Sequence, residues 1–282
     1  MENVKIYRAK ARLKDIDLFY LDTKTEKPAI LCLHGRWGRA ETWDAFIRHY
    51  GDRYRIIAPD QRGHGLSSRP ASKYTAEEMA EDMIGLLDSL QIESAIVVGH
   101  SMGGRIAGFL AAQHPKRVKA VAILDKSARG PEKPAEMLPG TDPLTKDWPL
   151  PFATRREAMD FIRKEMDTDL AYEYFMNSLY ETEAGFEMRF SAQAMAANTA
   201  NDEDWFHLLP RIQCLTLLVR ARGSGAVKDE DFAKMQEMIP NCMAFEASNA
   251  DHNVMLSNPE EFYGYFGMFL TRIGLNGQTD LT

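Results

Sequence analysis

An apolar run, Ile96-Val97-Val98, stops at Gly99-His100-Ser101-Met102-Gly103, and a small-residue helical pattern, Gly104-Arg105-Ile106-Ala107, starts at once. The spacing G-x-S-x-G between a strand and a helix is that of a nucleophile elbow, a turn that lifts a serine hydroxyl clear of a sheet. To do so Ser101 must take a positive φ, which a residue bearing a side chain adopts only under constraint. Side chains at Gly99 and Gly103 would collide across the turn, so hydrogen is what fits there. The Met102 amide then falls at the N-terminus of the new helix, where unpaired N–H groups and the helix dipole favour an anion.

The elbow sits in a rhythm of strands and helices. Residues 4–9 and 12–20 alternate loosely and read as an antiparallel pair. Ala29-Ile30-Leu31-Cys32-Leu33 is apolar throughout, as a strand covered on both faces should be. It ends in the sharp loop His34-Gly35-Arg36-Trp37-Gly38, and residues 40–50 read as a helix. The strand 54–58 opens into Pro59-Asp60-Gln61-Arg62-Gly63-His64-Gly65-Leu66-Ser67. Thr75-Ala76-Glu77-Glu78 has capping-box spacing and starts a helix with Met79, Met83, Leu86, Leu87 and Leu90 on one face. After the elbow helix, to about Gln113, comes the strand 118–124. Strands alternating with helices predict right-handed βαβ units and a mainly parallel sheet.

After Asp125 the rhythm breaks. Residues 126–151 carry prolines at 131, 134, 139, 143, 149 and 151, and residues 154–204 read as helices, including Leu170, Tyr174 and Leu179 on one stretch and Phe190 to Ala197 on another. The pattern resumes with strand 214–219, helix 229–238, strand 243–247 and a closing helix from Pro259 to Ile273; the polar tail from Gly274 is expected to fray. The division this predicts is a core of residues 1–125 and 205–282, with residues 126–204 inserted as a helical lid over the elbow.

The chain's 282 residues suffice for one such domain. A formal charge of −7 argues against nucleic acid or an anionic membrane surface as a partner. No apolar run approaches the ~20 residues of a membrane span, and Met1-Glu2-Asn3-Val4-Lys5 lacks the apolar region of a signal peptide. Cys32, Cys214 and Cys242, all placed in strands, are not spaced as a metal site and are expected to be buried free thiols. A cytoplasmic protein acting on a small molecule, without metal or cofactor, is the expectation; oligomeric state is left open.

A serine hydroxyl needs a base, and the base needs a group that holds its tautomer. Of the seven histidines, His252 is best placed: Asn249-Ala250-Asp251-His252 follows the last strand, at the sheet edge where the elbow lies. His34 and His64 share that edge but sit in glycine-rich turns and read as loop braces. For the acid, Asp125 ends the strand after the elbow helix and is the choice made here. Asp229 or Glu230 is the alternative, although both look like first-turn residues favoured by a helix dipole. Asp251, adjacent to His252, is poorly placed to hold its ring. The backbone amide of Arg36, in the loop after Gly35, is the expected second oxyanion donor beside Met102.

His34-Gly35, Asp60-Gln61-Arg62-Gly63-His64-Gly65-Leu66-Ser67, Gly99-His100-Ser101-Met102-Gly103 and Asp251-His252 together resemble the α/β-hydrolase superfamily over essentially the whole chain. Within it, the features around Arg36, Met102, Arg105, Asp125 and His252 are similar to those of 2-(acetamidomethylene)succinate hydrolase-like enzymes. The resemblance implies an α/β fold with a mostly parallel eight-stranded sheet flanked by helices. In many members the acid lies after the strand that follows the lid, in a Gly-x-x-Asp turn; here that turn reads Arg220-Ala221-Arg222-Gly223-Ser224-Gly225, with Ser224 at the acid's place. The resemblance supports Ser101, His252 and Asp125 as catalytic residues and the Arg36 and Met102 amides as oxyanion donors, and leaves the substrate open.

Arg36, Trp37, His100, Trp148, Phe152 and Arg155 are the expected substrate-binding residues. Arg155, Arg156, Arg163 and Lys164 make the start of the lid helices basic; this reads as a site for a carboxylate-bearing substrate, or as a solvated helix face with an Arg156–Asp160 pair. Aromatic residues Trp148, Phe152, Tyr172, Tyr174 and Phe175 read as pocket lining or as lid core. The expected activity is hydrolysis of a small ester, amide or lactone through an acyl-enzyme. C–C bond hydrolysis and perhydrolase chemistry use the same constellation, and a ligand receptor with vestigial hydrolysis is the alternative outside catalysis.

Overall fold

The structure, a computed structural model, describes residues 4–131, 142 and 144–274. The expectations for Met1 to Asn3, for the prolines at 134, 139 and 143 and for the tail beyond Gly274 fall outside these residues.

Ten strands are present among the described residues: β1 (Tyr7–Arg12), β2 (Asp17–Asp22), β3 (Ala29–Leu33), β4 (Arg55–Pro59), β5 (Ala95–His100), β6 (Val118–Leu124), β7 (Leu179–Thr182), β8 (Gly185–Met188), β9 (Leu215–Ala221) and β10 (Cys242–Ala247). Eight of them form one sheet in the order β1-β2-β4-β3-β5-β6-β9-β10, and β7 and β8 form a separate hairpin. Only β2 runs against the other strands of the large sheet. The central strands are apolar on both faces because both faces are covered. Leu31, Leu33, Val97, Val121 and Ile123 point to one side, into a core shared with α2 (Ala76–Ser89), α3 (Met102–Gln113) and α7 (Asp229–Met238). Their neighbours Ile30, Cys32, Ile96, Val98, Ala120 and Ala122 point to the other, against α1 (Asp44–Tyr50) and α8 (Pro259–Arg272). Each valine, leucine or isoleucine among them contributes about 1.5–3 kcal/mol when taken from water.

The start of α2 follows its capping signal: Thr75 Oγ1 accepts the Glu78 amide at 3.2 Å, and the Glu78 carboxylate accepts the Tyr74 amide at 2.8 Å. The cysteines are free, as expected, but only Cys32 is fully buried; Cys242 opens β10, and Cys214, half-buried, sits one residue before β9.

Between β6 and β9 lie α4 (Arg155–Glu165), α5 (Asp169–Met176), the β7–β8 hairpin and α6 (Ala192–Ala200). Here the helical expectation needs correcting. Leu179 belongs to a strand, and Phe190 precedes α6 and forms an isolated bridge with His64. The hairpin turns at Gly185, whose φ of +131° excludes most side chains. Trp148, Phe152, Ala158, Ile162, Phe175, Met188, Phe190 and Met195 give the insertion an apolar core of its own, which Tyr74 joins from the main body. No helix among the described residues is long and apolar enough to cross a membrane.

Candidate active site

Parallel strands deliver their following loops to one edge, and the register decides which residues meet there. β5 lies between β3 and β6, and β6 pairs onward with β9. The loops after β3, β5, β6, β9 and β10 therefore open side by side. Ser101 follows β5 with φ +52° and ψ −117°, the strained turn anticipated above. A Cβ at Gly99 would stand 2.1 Å from the Gly103 carbonyl oxygen, and one at Gly103 would stand 2.2 Å from that of Leu33. Glycine is the residue both positions require.

His252, in the loop after β10, has its Nε2 2.9 Å from Ser101 Oγ. Its Nδ1 lies 2.8 Å from Asp125 Oδ2. A carboxylate against Nδ1 makes Nδ1 the protonated nitrogen and leaves the Nε2 lone pair facing the serine hydroxyl. Asp125 follows β6, is fully buried, and is fixed by its own amide donating to Val219 O at 2.7 Å and by the Ala221 amide donating to its Oδ1 at 2.8 Å. These are contacts to β9 that follow from the β6–β9 register, in which Leu124 faces Val219.

The other acids are engaged elsewhere. Asp229 pairs with Arg220 at 2.6 Å and Glu230 with Arg129 at 3.2 Å, both from the first turn of α7. Asp251 accepts the Asn253 amide and so shapes its own loop. Ser224, where the resemblance puts an acid, donates to Asp125 Oδ2 at 2.6 Å. A hydroxyl two strands from the serine gives no sequence signal of such a contact, and in sequence the position shows only the lack of a carboxylate.

The remaining histidines of this edge hold loops. His34 Nε2 accepts the Gln61 amide at 3.1 Å, while the Gln61 side chain donates to His34 O at 2.7 Å. His64 Nδ1 donates to Arg62 O at 3.0 Å. Burial pushes His34 well below the ordinary histidine range and His64 down to about 4. His100 Nε2 donates to the His252 carbonyl at 2.7 Å, tying the loop of His252 to the elbow. Burial, with the neighbouring His252, lowers His100 to about 3, so it is a neutral donor.

A cavity of about 110 Å³ lies over the serine, walled by Arg36, Trp37, His100, Leu144, Ala171, Tyr174, Phe175 and Asn253. Of the expected substrate-binding residues it brings in Arg36, Trp37 and His100. It does not include Trp148, Phe152 or Arg155. Trp148 and Phe152 pack into the core of the insertion, Phe152 fully buried, because large flat side chains satisfy that small core first. Arg155 is solvent-exposed, as are Arg156, Arg163 and Lys164, so the basic run is a solvated helix face with an Arg156–Asp160 contact of 3.9 Å. Tyr172 also stays off the cavity, under the guanidinium of Arg163 at 3.6 Å. Leu144, Ala171 and Asn253 were not anticipated: each is unremarkable in sequence and gains its place from the packing of the insertion and the His252 loop.

The Arg36 and Met102 amides donate to no protein group among the described residues, as an oxyanion site requires. The Arg36 loop is braced by the insertion: Tyr174 Oη donates to Arg36 O at 3.2 Å, and Trp37 Nε1 donates to Asp142 Oδ2 at 3.0 Å. The Arg36 guanidinium reaches Thr199 and lies 3.5 Å from Asp202. That one carboxylate also meets Lys126 at 2.8 Å and Arg105 at 3.3 Å. Burial alone would raise Asp202, but Lys126, Arg36 and Arg105 outweigh it and hold the carboxyl below its usual range. Arg105 Nε is buried without a hydrogen-bond partner among the described residues.

This sheet order, with a serine at the sharp turn after β5 and a histidine after β10, defines the α/β-hydrolase class, and the family model for the alpha/beta hydrolase fold matches residues 28–259. The chain belongs to that family. Among curated proteins it is 27% identical over 236 residues to a putative esterase/lipase of Haemophilus influenzae, covering 83% of this chain and 79% of that protein. It is likewise 27% identical over 243 residues to the 2-(acetamidomethylene)succinate hydrolase of Mesorhizobium japonicum, covering 84% of this chain and 86% of that one. A crystal structure of E-2-(acetamidomethylene)succinate hydrolase superposes with a TM-score of 0.83 at 24% identity, over 95% of this chain and 100% of the other. The protein is thus a hydrolase of the α/β family.

Proposed function

We propose that the protein is a serine hydrolase of small carboxylic esters, amides or lactones, working through an acyl-enzyme without a cofactor. The observation that carries this is the continuous line Ser101 Oγ, His252 Nε2, His252 Nδ1 and Asp125 Oδ2, with contacts of 2.9 and 2.8 Å. His252 takes the Ser101 proton as Oγ attacks the carbonyl carbon, and Asp125 stabilises the imidazolium that forms. The Arg36 and Met102 amides receive the oxyanion, a contribution of roughly 3 kcal/mol per donor. His252 then returns the proton to the departing alcohol or amine. Water, deprotonated by the same nitrogen, attacks the acyl carbon and releases Ser101.

The cavity limits the substrate. Its volume is about 110 Å³, which favours a short acyl or leaving group. Arg36, the one cationic wall residue among the described residues, belongs to a cluster in which three cations share the Asp202 carboxylate. Positive charge in excess beside a mostly apolar cavity favours a carboxylate on the substrate. The residues between β6 and β9 act in this reading as the lid that selects it.

The test is a hydrolysis screen of short p-nitrophenyl esters alongside carboxylated amides and enol-lactones. Turnover by the wild-type protein should fall to the buffer background in Ser101→Ala, with folding intact. Arg36→Ala should lose kcat/KM at least about tenfold more for an anionic ester than for its neutral isostere, about 1.4 kcal/mol of discrimination. Near-normal turnover by Ser101→Ala excludes the mechanism. Equal losses on the two esters remove the carboxylate.

A further inference from the structure

The turn after β9 places the Ser224 hydroxyl against the same Asp125 oxygen that faces His252. Ser224 Oγ donates to Asp125 Oδ2 at 2.6 Å, and His252 Nδ1 donates to that atom at 2.8 Å. The hydroxyl is itself held: the Ala226 amide donates to its oxygen at 3.1 Å. The Ala221 carbonyl, 3.2 Å away, is a longer and uncharged alternative for the single hydroxyl proton. The short contact to a carboxylate is the stronger one. With the Ala221 amide on Oδ1, the buried carboxylate has three donors, one of them the imidazole.

We propose that Ser224 is a positioning residue of the reaction, which keeps Asp125 Oδ2 aimed at His252 and sets how strongly that oxygen holds the imidazolium. This rests on the assignment of Ser101, His252 and Asp125 given above. Two consequences follow from one hydrogen bond. It restrains rotation of the carboxylate, so Oδ2 stays in line with Nδ1. It also draws electron density from Oδ2, so the imidazolium is held less tightly than by a carboxylate with only two donors. Position 224 also lies within reach of the base: a carboxylate there, with residue 125 cut back to make room, would occupy the region between Ser224 Oγ and His252 Nδ1.

The experiment compares pH profiles of kcat/KM, with an ester the wild type hydrolyses, for wild type, Ser224→Ala, Ser224→Thr, Asp125→Ala and the double variant Asp125→Ala/Ser224→Asp. Thermal unfolding of each is measured in parallel. Ser224→Ala should move the rising limb to higher pH by about half a unit and lower the plateau kcat severalfold. Ser224→Thr, which keeps the hydroxyl, should restore both. The double variant should recover at least about tenfold of the kcat/KM lost in Asp125→Ala. A Ser224→Ala limb that coincides with wild type, even with a lowered melting temperature, overturns the proposal and leaves Ser224 a structural residue. A double variant no better than Asp125→Ala puts residue 224 out of reach of the imidazole and overturns it too. Undiminished turnover by Asp125→Ala would instead remove the underlying assignment.

Discussion

Asp125 has no contact with solvent, and a buried carboxylate without donors is among the costliest groups a fold can hold. Its position is made by neighbours far apart in the chain: Val219 and Ala221 from β9, Ser224 from the turn beyond it, and His252 from the last loop. The convergence of Ser101, Asp125 and His252 was legible in the sequence because each lies in the turn or loop after a recognisable strand, and parallel strands bring such loops together. Ser224 was visible only as an absence, since hydroxyl contacts across strands leave no periodic trace. Arg155 shows the opposite error, while the solvated-face reading of its basic run holds. Arg155 and its neighbours are conspicuous in an acidic chain, yet composition does not say which way a helix face turns, and this one turns to water. Arg36, one residue in a glycine loop, is the cation that reaches the cavity among the described residues.

At the level of elements, the bounds of α7 and β6 could be read directly from period and caps, and the β7–β8 hairpin could not. Its strands are four residues each, too short to show alternation between helices on either side. The insertion does more than cover the serine. Tyr174 on α5 donates to the carbonyl of Arg36, and a Cβ at Gly38 would stand 2.3 Å from that hydroxyl, so the loop and the helix are fitted to each other. If the loop's amide receives the oxyanion, loosening it should act on the transition state more than on substrate binding. Tyr174→Phe is therefore expected to lower kcat by roughly tenfold, about 1.4 kcal/mol, with KM changed less than twofold. Steady-state kinetics on a neutral ester measure it, and a rise in KM at constant kcat would assign Tyr174 to substrate binding alone.

On the scale of the molecule, the histidines that brace the site link stability to pH. His34, His64 and His100 are at most 2% exposed, and burial lowers all three, to about 4 for His64 and about 3 for His100, from the ordinary 6.5. A group depressed in the folded state takes its proton first in the unfolded chain, so its contribution is complete above about 6.5 and is lost as pH falls toward the folded value. Asp60 acts the other way. Burial raises it to about 6 against the hydrogen bonds from Ala40 and Leu66, so below that pH the folded state takes up its proton first. The three buried histidines outweigh Asp60, so stability falls as pH drops below 6. The urea midpoint should accordingly be lower at pH 5 than at pH 7; an equal or higher midpoint at pH 5 would show that these imidazoles are not held neutral by the fold.

The proposed function turns on one proton moving from Ser101 to His252. Its most direct measurement is the rate of covalent modification by a fluorophosphonate, with the modified residue located by mass spectrometry, in wild type, Ser101→Ala and His252→Ala. The proposed relay predicts a single phosphonyl group on Ser101, none in Ser101→Ala, and a rate lower by roughly three orders of magnitude or more in His252→Ala. A label on another residue, or a His252→Ala protein modified at the wild-type rate, would contradict it.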